Sequence, residues 1–204
     1  MNFGELIVEV GDRGFNDLLR DQESRVKRWV NEAHREICDL ASWPFLEASQ
    51  EGPAPLTITA LAHVLSVSNL TTDAPLLPLD RRRVVGVDPA LNDTGVAEYW
   101  YREGAATIKA YPADTGSTLV VRYLRAVTDL VGVTDEPLVP SPYHGLIVDG
   151  AVIRAYRNRD NFQAAQFVRQ EWRIGVAGME HALLKPNYDR ERKIARTGRL
   201  GDYL

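Results

Sequence analysis

The sequence predicts an α+β fold: a helical bundle built from the N- and C-terminal segments, an inserted antiparallel β subdomain and an extended C-terminal tail. Three observations predict it. Apolar residues recur at helical spacing before residue 46 and again from 145 to 183. Between about 52 and 131 the period shortens to that of strands, with Gly and Pro between the runs. After Pro186 no apolar stripe remains. Segments 1–50 and 140–185 therefore form the bundle, 51–139 the β insertion and 186–204 the tail.

In chain order, Asn2 is placed to cap a short helix whose Phe3, Leu6, Ile7 and Val10 fall on one side. Gly11 and Gly14 end it, and residues 12–20 read as a connector. A long helix follows from Asp21, which is placed to cap it. Val26, Trp29, Val30, Ala33, Ile37 and Leu40 form its apolar stripe, and Lys27, Arg28, Asn31, Glu32, Arg35, Glu36 and Asp39 its polar side. Pro44 disfavours a helical Trp43, so the helix should stop near Ser42 and leave extended through Trp43 and Phe45.

Strands are expected at Leu56–Thr59, His63–Ser68, Arg83–Val87, Ala97–Arg102, Ala106–Tyr111 and Thr118–Arg125. The last three, turning at Glu103-Gly104 and at Asp114 to Ser117, should form a meander. Leu119 to Leu124 is apolar on both faces, which predicts a central strand covered by sheet on one side and helices on the other. Short strands at this spacing suggest a small sandwich or a partly open barrel. Gly145–Arg157 and Phe162–Leu183 then carry two further helical stripes, joined by a short connection that favours antiparallel neighbours. They are the expected partner surface for Trp29 and Trp43.

Composition narrows the functional classes. Over 204 residues, 45% are hydrophobic and 25% charged, ordinary values for a globular chain. The longest apolar run falls far short of the roughly 20 residues of a membrane span. The opening MNFGELIVEVGDRG holds Glu5 and Glu9 and lacks the basic n-region of a signal peptide. Cys38 is the single cysteine, so an intrachain disulfide cannot form, which fits assembly in a reducing cytoplasm. Charge is uneven. Residues 185–204 hold six bases and three acids, while 1–184 hold 18 bases and 25 acids, an acidic body with a basic tail.

Catalytic and metal chemistry find little support. His34, His63, His144 and His181 are scattered, and His34 with Cys38 lacks the second ligand pair that a metal needs. The expectation for that pair is a partly exposed histidine on the polar side beside an ordinary cysteine. Nucleophile-elbow, P-loop and dinucleotide motifs are missing from the sequence. Gly150, inside an apolar helical run, is better explained by close helix packing than by chemistry. Arg81, Arg82 and Arg83 are the densest basic cluster of the body, a candidate for contact with DNA phosphate or an acidic neighbour. The reading is a non-enzyme that needs no cofactor.

The order of four pieces resembles the phage head-to-tail adaptor (connector) proteins, a group related to podovirus tail tubular protein A. They are Trp29 to Ala33 with Ile37 and the Trp43-Pro44-Phe45-Leu46 exit; the β block with Glu98 to Trp100, Ile108 to Pro112 and Leu119 to Tyr123; Leu138 to Pro140 with Tyr143-His144, Leu146 to Val148 and Gly150-Ala151; and the final helix with its basic tail. The resemblance implies a ring, of twelve copies, beneath the portal. Such a ring extends the DNA channel, helps retain the genome before ejection and attaches a downstream tail, stopper or nozzle protein. Its implied partners are the portal protein, that tail protein, further copies of itself and the duplex DNA passing through. Its place is the virion's head–tail junction, with no membrane. Portal docking falls to the tail, with Arg190, Arg192, Lys193, Arg196, Arg199, Tyr203 and Leu204. Ring contacts fall to Lys27, Arg28, Asn31, Arg35 and Asp39. The competing readings are a small DNA-binding or regulatory module, and a stopper or tail-terminator ring.

Overall fold

The computed structural model describes residues 1–79, 88, 93–113 and 116–184. The chain is mixed α+β, with helices at the N-terminus and a β sheet. One compact unit takes Met1–Phe45 and the described residues from Asp129 onward; the other is Leu46–Thr128. The expected strand at Arg83–Val87, the cluster Arg81–Arg83, the turn residues Asp114 and Thr115, and the tail from Lys185 lie outside the described residues.

In the helical unit, α1 spans Phe3–Val10 and buries the four residues its spacing singled out. Its cap is reciprocal: the Asn2 side chain accepts from the Glu5 amide and the Glu5 carboxylate accepts from the Asn2 amide, both at 2.9 Å. Two further amides of this first turn, those of Phe3 and Gly4, donate to the carbonyls of Asp135 and Val133. The connector over 12–20 is helical. A π-helical turn, Gly11–Phe15, leads into α2, Asn16–Asp39. Gly14 makes the joint, with φ of 100°, a backbone region that side chains resist. α2 bends again at Gln22 (φ −143°), so the start expected at Asp21 is a kink within a longer helix. Phe15 explains why the first part holds: its ring meets Tyr156 edge-on at 4.9 Å and carries the Arg159 guanidinium 4.7 Å above it.

The far end of α2 also differs from expectation. Trp43 is non-helical, as Pro44 requires, but the chain does not leave extended; Pro44–Leu46 is a 3-10 turn. Trp43 folds back, donating its indole N–H to the Ile37 carbonyl at 2.7 Å and stacking on Phe45 at 5.7 Å. The same carbonyl also accepts from the Leu40 amide at 3.3 Å, so the indole supplies its second bond at the helix end.

α3, His144–Asn158, follows a 3-10 turn at Ser141–Tyr143, and α4 is Phe162–Leu184. Helices α1, α2 and α4 all pack on α3. It buries Ile147, Val148, Ala151, Val152, Ile153 and Ala155, as a helix covered from several sides must. Where α2 meets α3, a Cβ on Gly150 would lie 2.7 Å from the Ala33 Cβ, so glycine is what permits the approach. Trp172 of α4 seats on the same helix and donates to the Leu146 carbonyl at 2.9 Å.

Among the described residues of the β unit, seven strands run β1 (Glu47–Pro53), β2 (Leu56–Thr57), β3 (Leu61–Asn69), β4 (Ala74–Pro78), β5 (Tyr99–Glu103), β6 (Thr107–Tyr111) and β7 (Thr118–Arg125). Their order in the sheet is β1-β7-β3-β4-β5-β6-β2. The first and last strands in that order are joined through Ala54 and Pro55 alone, so the sheet must curl back on itself. Leu56, Ile58, Val67, Leu76, Ile108, Leu119, Val121 and Tyr123 fill its core. The β5–β6 hairpin turns at Gly104 as expected. The meander does not continue: β7 leaves β6 and pairs with β1 and β3. Nor is β7 covered on both faces. Leu119, Val121 and Tyr123 are buried while Val120 and Leu124 are half-exposed, the alternation of a sheet with one wet face.

Candidate assembly surface of the helical unit

The polar side of α2 is where the sequence placed ring contacts, and the structure separates those residues into three kinds. Lys27, Arg28 and Arg35 are engaged within the chain. Lys27 pairs with Glu23 at 2.7 Å, Arg28 with Glu32 at 3.5 Å and Arg35 with Asp129 at 3.3 Å. These are exposed pairs of small individual worth. Asp39 is exposed at the end of α2. Asn31 is different in kind. It is 8% exposed, its Nδ2 donates to the Leu130 carbonyl at 3.0 Å and its Oδ1 accepts from the Leu130 amide at 2.8 Å. Such a residue is an internal clip and offers nothing to a neighbouring copy. Helical spacing placed it among exposed residues, whereas the segment returning from the β unit covers it.

His34 departs from expectation for the same reason. It is 1% exposed, and its Nε2 accepts from the Leu138 amide at 3.2 Å, which puts the ring proton on Nδ1. Burial pulls its pKa down from 6.5 to about 4, so it is neutral in the fold. Cys38 beside it is buried, and burial pushes its thiol up to about 12, away from nucleophile chemistry. His144 donates from Nε2 to the Val139 carbonyl and accepts at Nδ1 from the Met1 ammonium, and burial lowers its pKa too. Among the described residues no group of His, Cys, Asp and Glu is placed to hold a metal ion.

What the spacing did not reveal is a charge network bridging two helices. Arg154 of α3 reaches Glu36 at 2.7 Å and Glu32 at 3.1 Å, and donates to the Gly150 carbonyl at 2.9 Å. Glu32 and Glu36 are one turn apart on α2, a like-charged pair that Arg154 neutralises. The network lies in a cleft of about 570 Å³ lined also by Arg35, Asp39, Arg157, Arg169 and Trp172. Beside it, Arg157, Gln166, Arg169, Gln170 and Arg173 line a second groove of about 770 Å³. An arginine inside an otherwise apolar helical run was the one available signal, because such a residue needs counter-charges on a facing element.

The cleft gathers arginines and carboxylates that pair across helices, over a buried layer of closely packed small and aromatic residues. The family model of the SU10 adaptor protein matches residues 1–196. The chain belongs to that family, which is one of phage head-to-tail adaptors. It is thus a virion component at the head–tail junction, one that interacts with portal and tail proteins. Families of this kind are structural and normally non-enzymatic. No curated protein matches the chain. Among the described residues, no helix is long and apolar enough to cross a membrane.

Proposed function

We propose that the chain works as a ring of twelve copies beneath the portal, extending the DNA channel, helping to retain the packaged genome and presenting a surface to the next tail protein. The observation that carries this reading is the family match along almost the whole chain, which takes in both units and most of the basic tail. Kinship with the podovirus tail tubular proteins of type A belongs to the same reading. The units then divide the work. Closely packed helices supply stiff ring walls, and the curled sheet faces the tail. Residues 185–204, with six bases against three acids, dock on the portal. Arg190, Arg192, Lys193, Arg196, Arg199, Tyr203 and Leu204 are the contacts. The acidic excess of residues 1–184 lines the channel, where weak repulsion keeps the passing duplex from sticking during ejection. Arg81, Arg82 and Arg83 contact an acidic neighbour or DNA phosphate.

Deletion of residues 187–204 tests the docking role. The truncated chain should keep its far-ultraviolet spectrum and unfolding midpoint yet fail to co-sediment with purified portal rings. Unimpaired co-sedimentation removes the tail from the account.

A further inference from the structure

Helix α4 carries charges of opposite sign on opposite flanks. Arg169, Glu171 and Arg173 are two residues apart, and at about 100° per residue Glu171 projects some 160° round the helix from both arginines. Trp172, buried between them, fixes which flank is which. On the arginine flank lies the groove of about 770 Å³ lined by Arg157, Gln166, Arg169, Gln170 and Arg173. Among the described residues none of its three arginines enters an ion pair, unlike Arg154 close by. On the other flank, carboxylates outnumber cations. Among the described residues Arg13 alone serves Glu9 at 3.2 Å and Asp149 at 3.4 Å. Burial raises the Asp149 pKa despite Arg13, and the negative charges of Glu171 and Glu9 raise it further. Between the flanks, Phe167 and Ile174 stand outward, 65% and 67% exposed and seven residues apart on one side of α4.

We propose that the arginine groove of one copy receives the Glu9–Asp149–Glu171 edge of the next, with Phe167 and Ile174 covered by the contact. This rests on the adaptor reading and assigns the ring contact to α4 in place of the exposed charges of α2. Charge complementarity within one molecule carries this contact. The groove holds unpaired guanidinium groups, which suit carboxylates through paired N–H donors. The edge holds carboxylates in excess of their cations. Because the two faces differ and lie on opposite flanks, joining them is a head-to-tail contact, which closes into a ring where the rotation from copy to copy divides a full turn and otherwise runs on as a filament; a twofold dimer would need one face to match itself.

Charge reversal on the full chain tests it, read by sedimentation velocity and negative-stain electron microscopy over a salt series. The wild-type chain should form rings, less readily as salt rises. R169E/R173E and E9R/E171R should each need at least roughly tenfold more protein to assemble, about 1.4 kcal/mol per contact. Mixing the two variants should restore rings, since each supplies what the other lacks, and that recovery shows that both are folded. Rings formed as readily by the single variants as by wild type overturn the contact and leave the adaptor reading standing, because portal binding is measured separately. A wild-type chain that stays monomeric at every concentration, or variants that stay apart when mixed, overturn it too. Loss in R169E/R173E of salt-sensitive binding to a duplex oligonucleotide, with self-association unchanged, assigns the groove to phosphate instead.

Discussion

Replacing Asn31 by alanine removes both bonds that hold Leu130. Leu130 is 7% exposed, so the freed amide and carbonyl have little access to water. Each buried polar group left unpaired costs about 1–3 kcal/mol. Two groups give on the order of 2–6 kcal/mol, reduced if the cavity left by the side chain admits a water that bridges them. A loss nearer 3 than 5 kcal/mol is expected for that reason. The position also gives the effect a direction along the chain. Leu130 is the second residue of the helical unit after the chain returns from the β unit, and the side chain of Asn31 fixes it. Urea unfolding followed by tryptophan fluorescence should show a lower midpoint with an unchanged slope. Amide exchange should show Leu130 losing protection well before the α3 amides. A loss below about 0.5 kcal/mol would refute the clip, since that is what an exposed asparagine costs.

Four other outcomes follow from the same packing. Arg154→Ala leaves Glu32 and Glu36 one turn apart without their shared cation, and should destabilise by about 2 kcal/mol, with part of it recovered in Arg154→Ala/Glu36→Gln, as chemical denaturation will read. Gly150→Ala and Gly178→Ala should act in opposite senses on the melting temperature. At 150 a Cβ meets Ala33 at 2.7 Å, so an overpacking cost of about 1–3 kcal/mol outweighs the roughly 1 kcal/mol of helix propensity gained; at 178 nothing lies within 4 Å and the gain stands. Acidification should also weaken the fold through His34. Its folded pKa is held near 4 against 6.5, so the unfolded chain takes up the proton first; stability is complete above the ordinary value and drains away as pH falls through about 4. The loss is on the order of 3 kcal/mol, and His34→Gln should flatten that part of the pH profile. Trp29→Ala, at a site 6% exposed, should cost on the order of 3–5 kcal/mol by the same urea assay.

Much of the helical part was legible because its burial follows a period. The stripe Val26, Trp29, Val30, Ala33 and Ile37 is buried as its spacing indicates, as are Phe3, Leu6, Ile7 and Val10, while Leu40, the stripe's last member, lies just past the helix end and is 51% exposed. Strand β7 falls on the residues its apolar run marks, Thr118–Arg125. Strand β1 was invisible for a physical reason. Glu47–Pro53 contains no apolar alternation, and it becomes a strand through pairing with β7 at the sheet edge, where Pro53 is tolerated. β4, Ala74–Pro78, was likewise hidden by its prolines. Periodicity also misjudged Asn31 and His34. It records how residues face along one helix, and the loop that bonds to these two comes from about a hundred residues away. The charged faces of α3 and α4 were hardest to read, because Arg154, Arg157, Arg169 and Arg173 become a cleft and a groove only when three helices are laid side by side.

The most direct test of the adaptor account is electron microscopy of the full-length chain mixed with purified portal rings of its own phage. The account predicts a second ring, coaxial with the portal and attached to its narrow end, with its repeats in register with the portal's or in a simple ratio to them. Portal rings that remain bare at protein concentrations where the chain is folded and soluble would contradict it.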